Sequence, residues 1–209
     1  MSGGTNTAVL DAHGKPIPLS ERGPASTWSM ISFGFWLFLL SDIILFAALF
    51  AAYSVLSGST AGGPTAAELF DKKHVFAETL CLLASSVTCG FGSLAVQRTD
   101  ARAMYFWMGI TFLLGATFLT LEGREFAGMV SAGAGPSHSA FLSAFFTLVG
   151  THGLHVTLGL VWLLIMLLQV TTLGFQPMVG RRFFAFGLFW HALDIVWIGV
   201  FTIVYLGAK

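Results

Sequence analysis

"SAFLSAFFTLVGTHGLHVTLGLVWLLIMLLQV", residues 139–170, runs for 32 residues without one Asp, Glu, Lys or Arg. A helix rises 1.5 Å per residue, so about 20 residues cross a bilayer core, and this run must tilt or protrude. Inside it stand His152 and His155, two imidazoles where a membrane interior offers no water. As metal or haem ligands they would make the chain a redox catalyst; as hydrogen-bonding groups they would hold helices together.

Composition places the run in a membrane. Of 209 residues, 56% are hydrophobic and 10% charged, with a mean hydropathy of +0.81. A soluble domain carries about 25% charged residues, so this chain could not solvate the surface of one globule. Its apolar residues also fall in long segments rather than in short alternating ones. Five segments, near 28–55, 74–96, 104–121, 139–170 and 183–206, predict an all-α polytopic bundle of five transmembrane helices over 28–209. The intervening "SGSTAGGPT", "QRTDAR", "SAGAGPSH" and "GFQPMVGRR" have turn chemistry, and none is large enough to be a second domain.

Residues 1–27 are polar and rich in Gly, Pro and scattered charge, which predicts a flexible tail. The first apolar run is too long for a cleaved signal. Lys15, Arg22, Arg98, Arg102, Arg181 and Arg182 fall on one side, and Lys72, Lys73, Arg124 and Lys209 on the other. The excess of basic residues predicts a cytoplasmic amino terminus and, with five spans, an external carboxyl terminus.

Formal net charge is zero and no basic stripe exists, so nucleic acid is not an expected partner. Cys81 and Cys89 lie on one predicted helix about 12 Å apart along its axis, too far for a disulfide, and read as small packing residues. There is no GxSxG, so a membrane protease is disfavoured. Five spans without a repeat, and without proline inside any of them, disfavour a secondary transporter.

Polar residues inside spans are the informative ones, since a charged group at mid-membrane costs about 2.5–3.5 kcal/mol on insertion scales. They are Asp42, Glu78, His152, His155, His191 and Asp194, with Glu122 and Glu125 at the outer end of the third span. Each is expected to face protein rather than lipid. Helical spacing puts His152, His155, Gly159 and Trp162 on one stripe, and Glu78, Ser85, Cys89 and Gly92 on another. His191 and Asp194, one turn apart in "FWHALDIVW", are expected to pair on their own helix. Three histidines on two helices could bind copper or zinc, and a glycine-rich helix face could receive a haem. Against this, the chain has no HExxH, no third ligand on the same face and no second helix with widely spaced histidines. Hydrogen bonding within the bundle is therefore the favoured reading.

"LFLLSDIILF", "EGREF", "SAFFTLVGTHGLHVTLG" and "LFWHALDIVWIGVFTIVYL" together resemble, in this order, the signature segments of subunit III of the haem-copper terminal oxidases. The resemblance covers the chain from about Trp28 onward. "TAGGPT" before "FAETL" and the five-span layout look most like the quinol oxidase branch, cytochrome bo-type, without the first two spans of the seven-span mitochondrial type. The resemblance implies a non-catalytic subunit with no haem or metal of its own, beside a subunit I that carries haems and copper, with subunits II and IV and membrane phospholipids as further partners. It implies a bacterial inner-membrane complex that oxidises ubiquinol, reduces oxygen and pumps protons. His152, His155, His191 and Asp194 are then structural polar groups. Asp42 stands where the mitochondrial type has a carbodiimide-reactive Glu, one methylene longer. Glu122 and Glu125 keep the family's paired carboxylates, but Gly123 and Arg124 replace the usual aromatics, so an Arg124–carboxylate pair at the membrane surface is an expectation. The alternatives are subunit III of a cytochrome c oxidase and, from another class, a free-standing diheme membrane cytochrome.

Overall fold

A computed structural model describes residues 27–62 and 72–207. The expected tail over 1–27, with Lys15 and Arg22, lies almost wholly outside the described residues, and so does Lys209. Among those described there is no strand. The helices are α1 (Thr27–Leu56), α2 (Lys72–Gln97), α3 (Ala101–Ser131), α4 (Ala140–Leu173) and α5 (Pro177–Val200), the last winding into a π-helical turn over Phe201–Leu206. All five are long and apolar enough to cross a membrane.

Two boundaries differ from expectation, each for a local reason. α3 runs ten residues past the expected end at 121, because nothing in "EGREFAGMVS" breaks a helix until Gly133, whose φ of +82° stops it. α5 begins at Pro177 rather than near 183, since proline at the first helical position needs no N–H partner there. Glu122 and Glu125 thus lie within α3 rather than at its end, and Arg181 and Arg182 sit on α5 rather than in a loop.

The α2–α3 turn is tight. Asp100 N–H donates to Ala95 O and Thr99 N–H to Val96 O, each at 3.0 Å, closing a Schellman motif with Thr99 left-handed at φ +56°. The Asp100 carboxylate then accepts from Arg102 and Ala103 N–H, capping α3. Such a turn makes α2 and α3 antiparallel neighbours.

Chain contacts divide the molecule into two units, Met1–Phe38 and Leu39–Lys209. In the first, Phe35 and Phe38 on α1 have ring centroids 5.8 Å apart. In the second, α2 packs against α3 and α5, and α4 against α3 and α5. Lipid tails are as apolar as Leu, so close packing of small residues must bring such helices together. A Cβ on Gly92 would stand 2.7 Å from Met108 Cε, so α2 and α3 touch there. The Trp190 ring fills a slot between two glycines: a Cβ on Gly115 or Gly159 would lie 3.0 or 2.9 Å from it. From Leu39 onward α1 contributes Phe46, Phe50 and Tyr53, with Tyr53 against Phe141 on α4 and Phe50 beneath Gly199 on α5.

Candidate functional site

The polar groups inside the bundle form connected layers along the α2–α5 seam. Trp197 Nε1 donates to Thr79 Oγ1 at 3.1 Å, and Trp190 Nε1 donates to Ser85 Oγ at 3.0 Å. One residue further along each helix, Ser86 Oγ and His191 Nδ1 are 2.6 Å apart. Between α2 and α3, Thr88 and Thr111 hydroxyls pair at 2.8 Å. An indole N–H in an apolar interior needs an acceptor, which these hydroxyls supply.

His191 corrects one expectation: its ring nitrogen faces Ser86 on α2 and not Asp194 on its own helix, and the residue is exposed on the surface of this chain. Asp194 is buried one turn on, within electrostatic reach of Cys89. Asp194 lies within reach of the same Ser86, so the two side chains are related through a hydroxyl of α2 and not by direct pairing along α5. Cys81 and Cys89 are free thiols.

His152 and His155 also part company. His155 Nδ1 lies 2.7 Å from Thr151 O, which can only accept, so Nδ1 carries the proton and Nε2 faces Asp42 Oδ1 at 3.8 Å. These two side chains are 14% and 20% exposed, so Asp42 is largely shielded at a recess lined by Leu39, Phe46, Phe189 and Leu193. His152 is fully buried, and neither ring nitrogen meets a hydrogen-bond partner among the described residues. Aromatic rings hold it instead: Trp197 at 5.1 Å, Phe118 edge-on at 5.8 Å and Phe46 at 6.3 Å between centroids. For His152 the expected hydrogen bonding gives way to ring packing.

A carboxylate group forms on α2 and α3. Glu78 and Glu122 are buried, 1% and 3% exposed, and interact electrostatically with each other and with Glu125. Tyr205, buried in the π-helical turn, lies in the field of all three. The Glu122 carboxylate lies beside Gly153 of α4, where a Cβ would stand in ordinary contact, 3.5 Å from Glu122 Oε2. Arg124 points outward, exposed, and makes no ion pair among the described residues, so the expected surface pair with Glu122 or Glu125 does not form. Among the described residues no three His, Cys, Asp or Glu side chains converge as a metal-binding set.

Thr79, Ser86, Trp190 and Trp197 were not among the expected site residues. A signal existed: Trp190 and Trp197 are seven residues apart, hence on one helix face, as are Thr79 and Ser86. That spacing marks the helix faces but not the partners: the indoles meet Thr79 and Ser85, six residues apart, while Ser86 meets His191.

The sequence matches the family described as "Cytochrome c oxidase subunit III" over residues 24–209. It is 51% identical over 177 residues to the cytochrome bo(3) ubiquinol oxidase subunit 3 of Pseudomonas putida, covering 85% of this chain and 86% of that one. Identity to the same-named protein of Pseudomonas aeruginosa is 50% over 174 residues, covering 83% of each chain. The cytochrome c oxidase subunit 3 of Bacillus sp. (strain PS3) is 46% identical over 173 residues, covering 83% of this chain and 84% of that one.

Proposed function

The chain belongs to the cytochrome c oxidase subunit III family, and from that premise we propose that it is the accessory third subunit of a proton-pumping ubiquinol oxidase. The observation that carries the quinol assignment is that relatives at 50% and 51% identity bear the name cytochrome bo(3) ubiquinol oxidase subunit 3. In this reading haems and copper reside in subunit I, this chain has no catalytic site, and subunits II and IV complete a complex in a bacterial inner membrane. The subunit stabilises subunit I, keeps proton uptake on the cytoplasmic side fast and holds phospholipid against its apolar surface. Asp42, Glu78, Glu122, Glu125, His152, His155, His191 and Asp194 serve as structural polar groups.

Affinity purification of the tagged chain in mild detergent, with mass spectrometry and a reduced-minus-oxidised spectrum, tests partner and cofactor together. The expected result is co-purification of a haem-bearing large subunit and no haem in the separated chain; haem in the separated chain would instead make it a membrane cytochrome. The relative named for cytochrome c oxidase keeps a second reading open, and the purified complex decides it by which donor it oxidises.

In the proposed orientation Arg98 and Arg102 are cytoplasmic, with the amino terminus on their side and the carboxyl terminus periplasmic. A cysteine placed in "SAGAGP" should label with an impermeant reagent from outside, and one in "QRTDAR" should not. Reversed labelling overturns the orientation.

A further inference from the structure

Ser86 and His191 lie at the middle of their spans, His74–Gln97 and Met178–Leu206. Their hydrogen bond is the outward twin of the buried Ser85–Trp190 bond one residue back on each helix. The inner bond already ties α2 to α5, so seam packing alone does not call for a second. Yet an imidazole is exposed at mid-membrane depth, among the outward-facing Leu83, Val87, Phe184, Ile195 and Ile198. Ser86 engages Nδ1, which leaves Nε2 as the remaining hydrogen-bonding group of the ring. Facing hydrocarbon, that group would go unsatisfied, at a cost of several kcal/mol on apolar-transfer scales. The outward stripe of α4, with Leu154, Leu158, Val161, Ile165 and Leu168, carries no such group and suits lipid as it stands.

We propose that the α2–α5 face around Ser86 and His191 is the surface that docks onto the large catalytic subunit of the oxidase, where a side chain of a transmembrane helix hydrogen-bonds His191 Nε2. The choice of partner rests on the function proposed above; the choice of face rests on this chain alone. An acyl chain has no polar group at mid-span, whereas a helix of a larger membrane protein presents hydroxyls, amides and imidazoles at that depth. Ser86 orients the ring and thereby aims Nε2 at the partner.

The test uses the intact complex, with a benzophenone-bearing residue placed at Val87 or Ile195 and, for comparison, at Leu158 or Leu168. Illumination is expected to join the large subunit to the α2–α5 positions and only lipid to the α4 positions. Large-subunit adducts from α4 alone, lipid alone at Val87 and Ile195, or adducts there to a second copy of this chain or to quinone, would each overturn the assignment. A chain that never co-purifies with the large subunit would overturn the functional reading itself, a separable outcome. In parallel, His191→Phe should raise dissociation of this chain in detergent roughly three-fold, as loss of one average interhelical hydrogen bond does, with His191→Gln restoring most of it. Cys89, fully buried, should stay as protected from maleimide in His191→Phe as in the parent; loss of that protection would assign His191 to internal stability rather than to docking.

Discussion

Ser85 Oγ accepts a hydrogen bond from Trp190 Nε1 at 3.0 Å, with both residues almost wholly removed from the surface, at 0% and 1% exposure. Removing the acceptor would leave an indole N–H buried without a partner, which costs about 1–3 kcal/mol. Ser85→Ala is expected to destabilise the bundle by an amount at the lower end of that range, because interhelical hydrogen bonds in membranes average nearer 0.6 kcal/mol. Thermal unfolding of the detergent-solubilised complex, followed by maleimide reaction at buried Cys89, reads the change. A double-mutant cycle with Trp190→Phe should return a coupling of the same size, and no coupling would show that the contact is geometric only.

Gly159 faces the rigid ring of Trp190, and its substitution is expected to be costly. In Gly159→Ala the new methyl would stand 2.9 Å from Trp190 Cζ3 and 3.1 Å from Phe189 Cε1, with neither ring able to yield by a simple side-chain rotation. Overpacking of this kind costs about 1–3 kcal/mol. Gly150→Ala, whose methyl would meet only Phe126 at 3.8 Å, serves as the tolerated control. Equal stability of the two variants in the same Cys89 assay would contradict the slot.

His152 and His155 are expected to leave metal and haem content untouched. His152 is enclosed by Phe46, Phe118 and Trp197, and His155 is engaged by Thr151 O and Asp42. His152→Asn and His155→Asn should therefore weaken subunit retention in detergent without changing haem or copper per complex. Metal analysis and the pyridine haemochrome spectrum check this, and stoichiometric loss of metal from an intact complex would refute it.

Thr99 occupies the left-handed position that glycine ordinarily takes at the end of a helix, with φ +56°. A β-branched residue is strained there by about 1–2 kcal/mol; glycine relieves that strain, and its greater freedom in the unfolded chain cancels part of the gain. Thr99→Gly should stabilise the α2–α3 hairpin by roughly 0.5–1 kcal/mol. A lower unfolding temperature in the variant would mean that the threonine side chain makes a contact worth more than the strain.

A complex stripped of this subunit should still oxidise quinol when first assayed, because the proposed redox centres all lie in subunit I. What it should lose is durability. Slow reprotonation prolongs reactive oxygen intermediates, so each turnover carries more risk of damage. Activity followed against turnover number, with and without the subunit, should show faster inactivation without it, worsening as pH rises and protons grow scarce. Equal lifetimes across the pH range would reduce the chain to an assembly factor.

The five spans, the all-helical class and the family were legible from residue order. Each follows from a property that can be judged against the bilayer one segment at a time: about 20 apolar residues cross it, and charge inside it is expensive. The direction in which each polar residue points was not legible. Tertiary structure alone turned His191 toward Ser86 instead of Asp194, wrapped His152 in aromatic rings, carried α3 past Glu122 and Glu125, and gave the indoles of Trp190 and Trp197 their hydroxyl partners. The reason is that lipid and protein interior are equally apolar, so a membrane helix has no hydrophobic stripe to announce its buried face. Its rotation is decided by where small residues such as Gly92, Gly115 and Gly159 let another helix come close, and that closeness exists only once the partner helix is present.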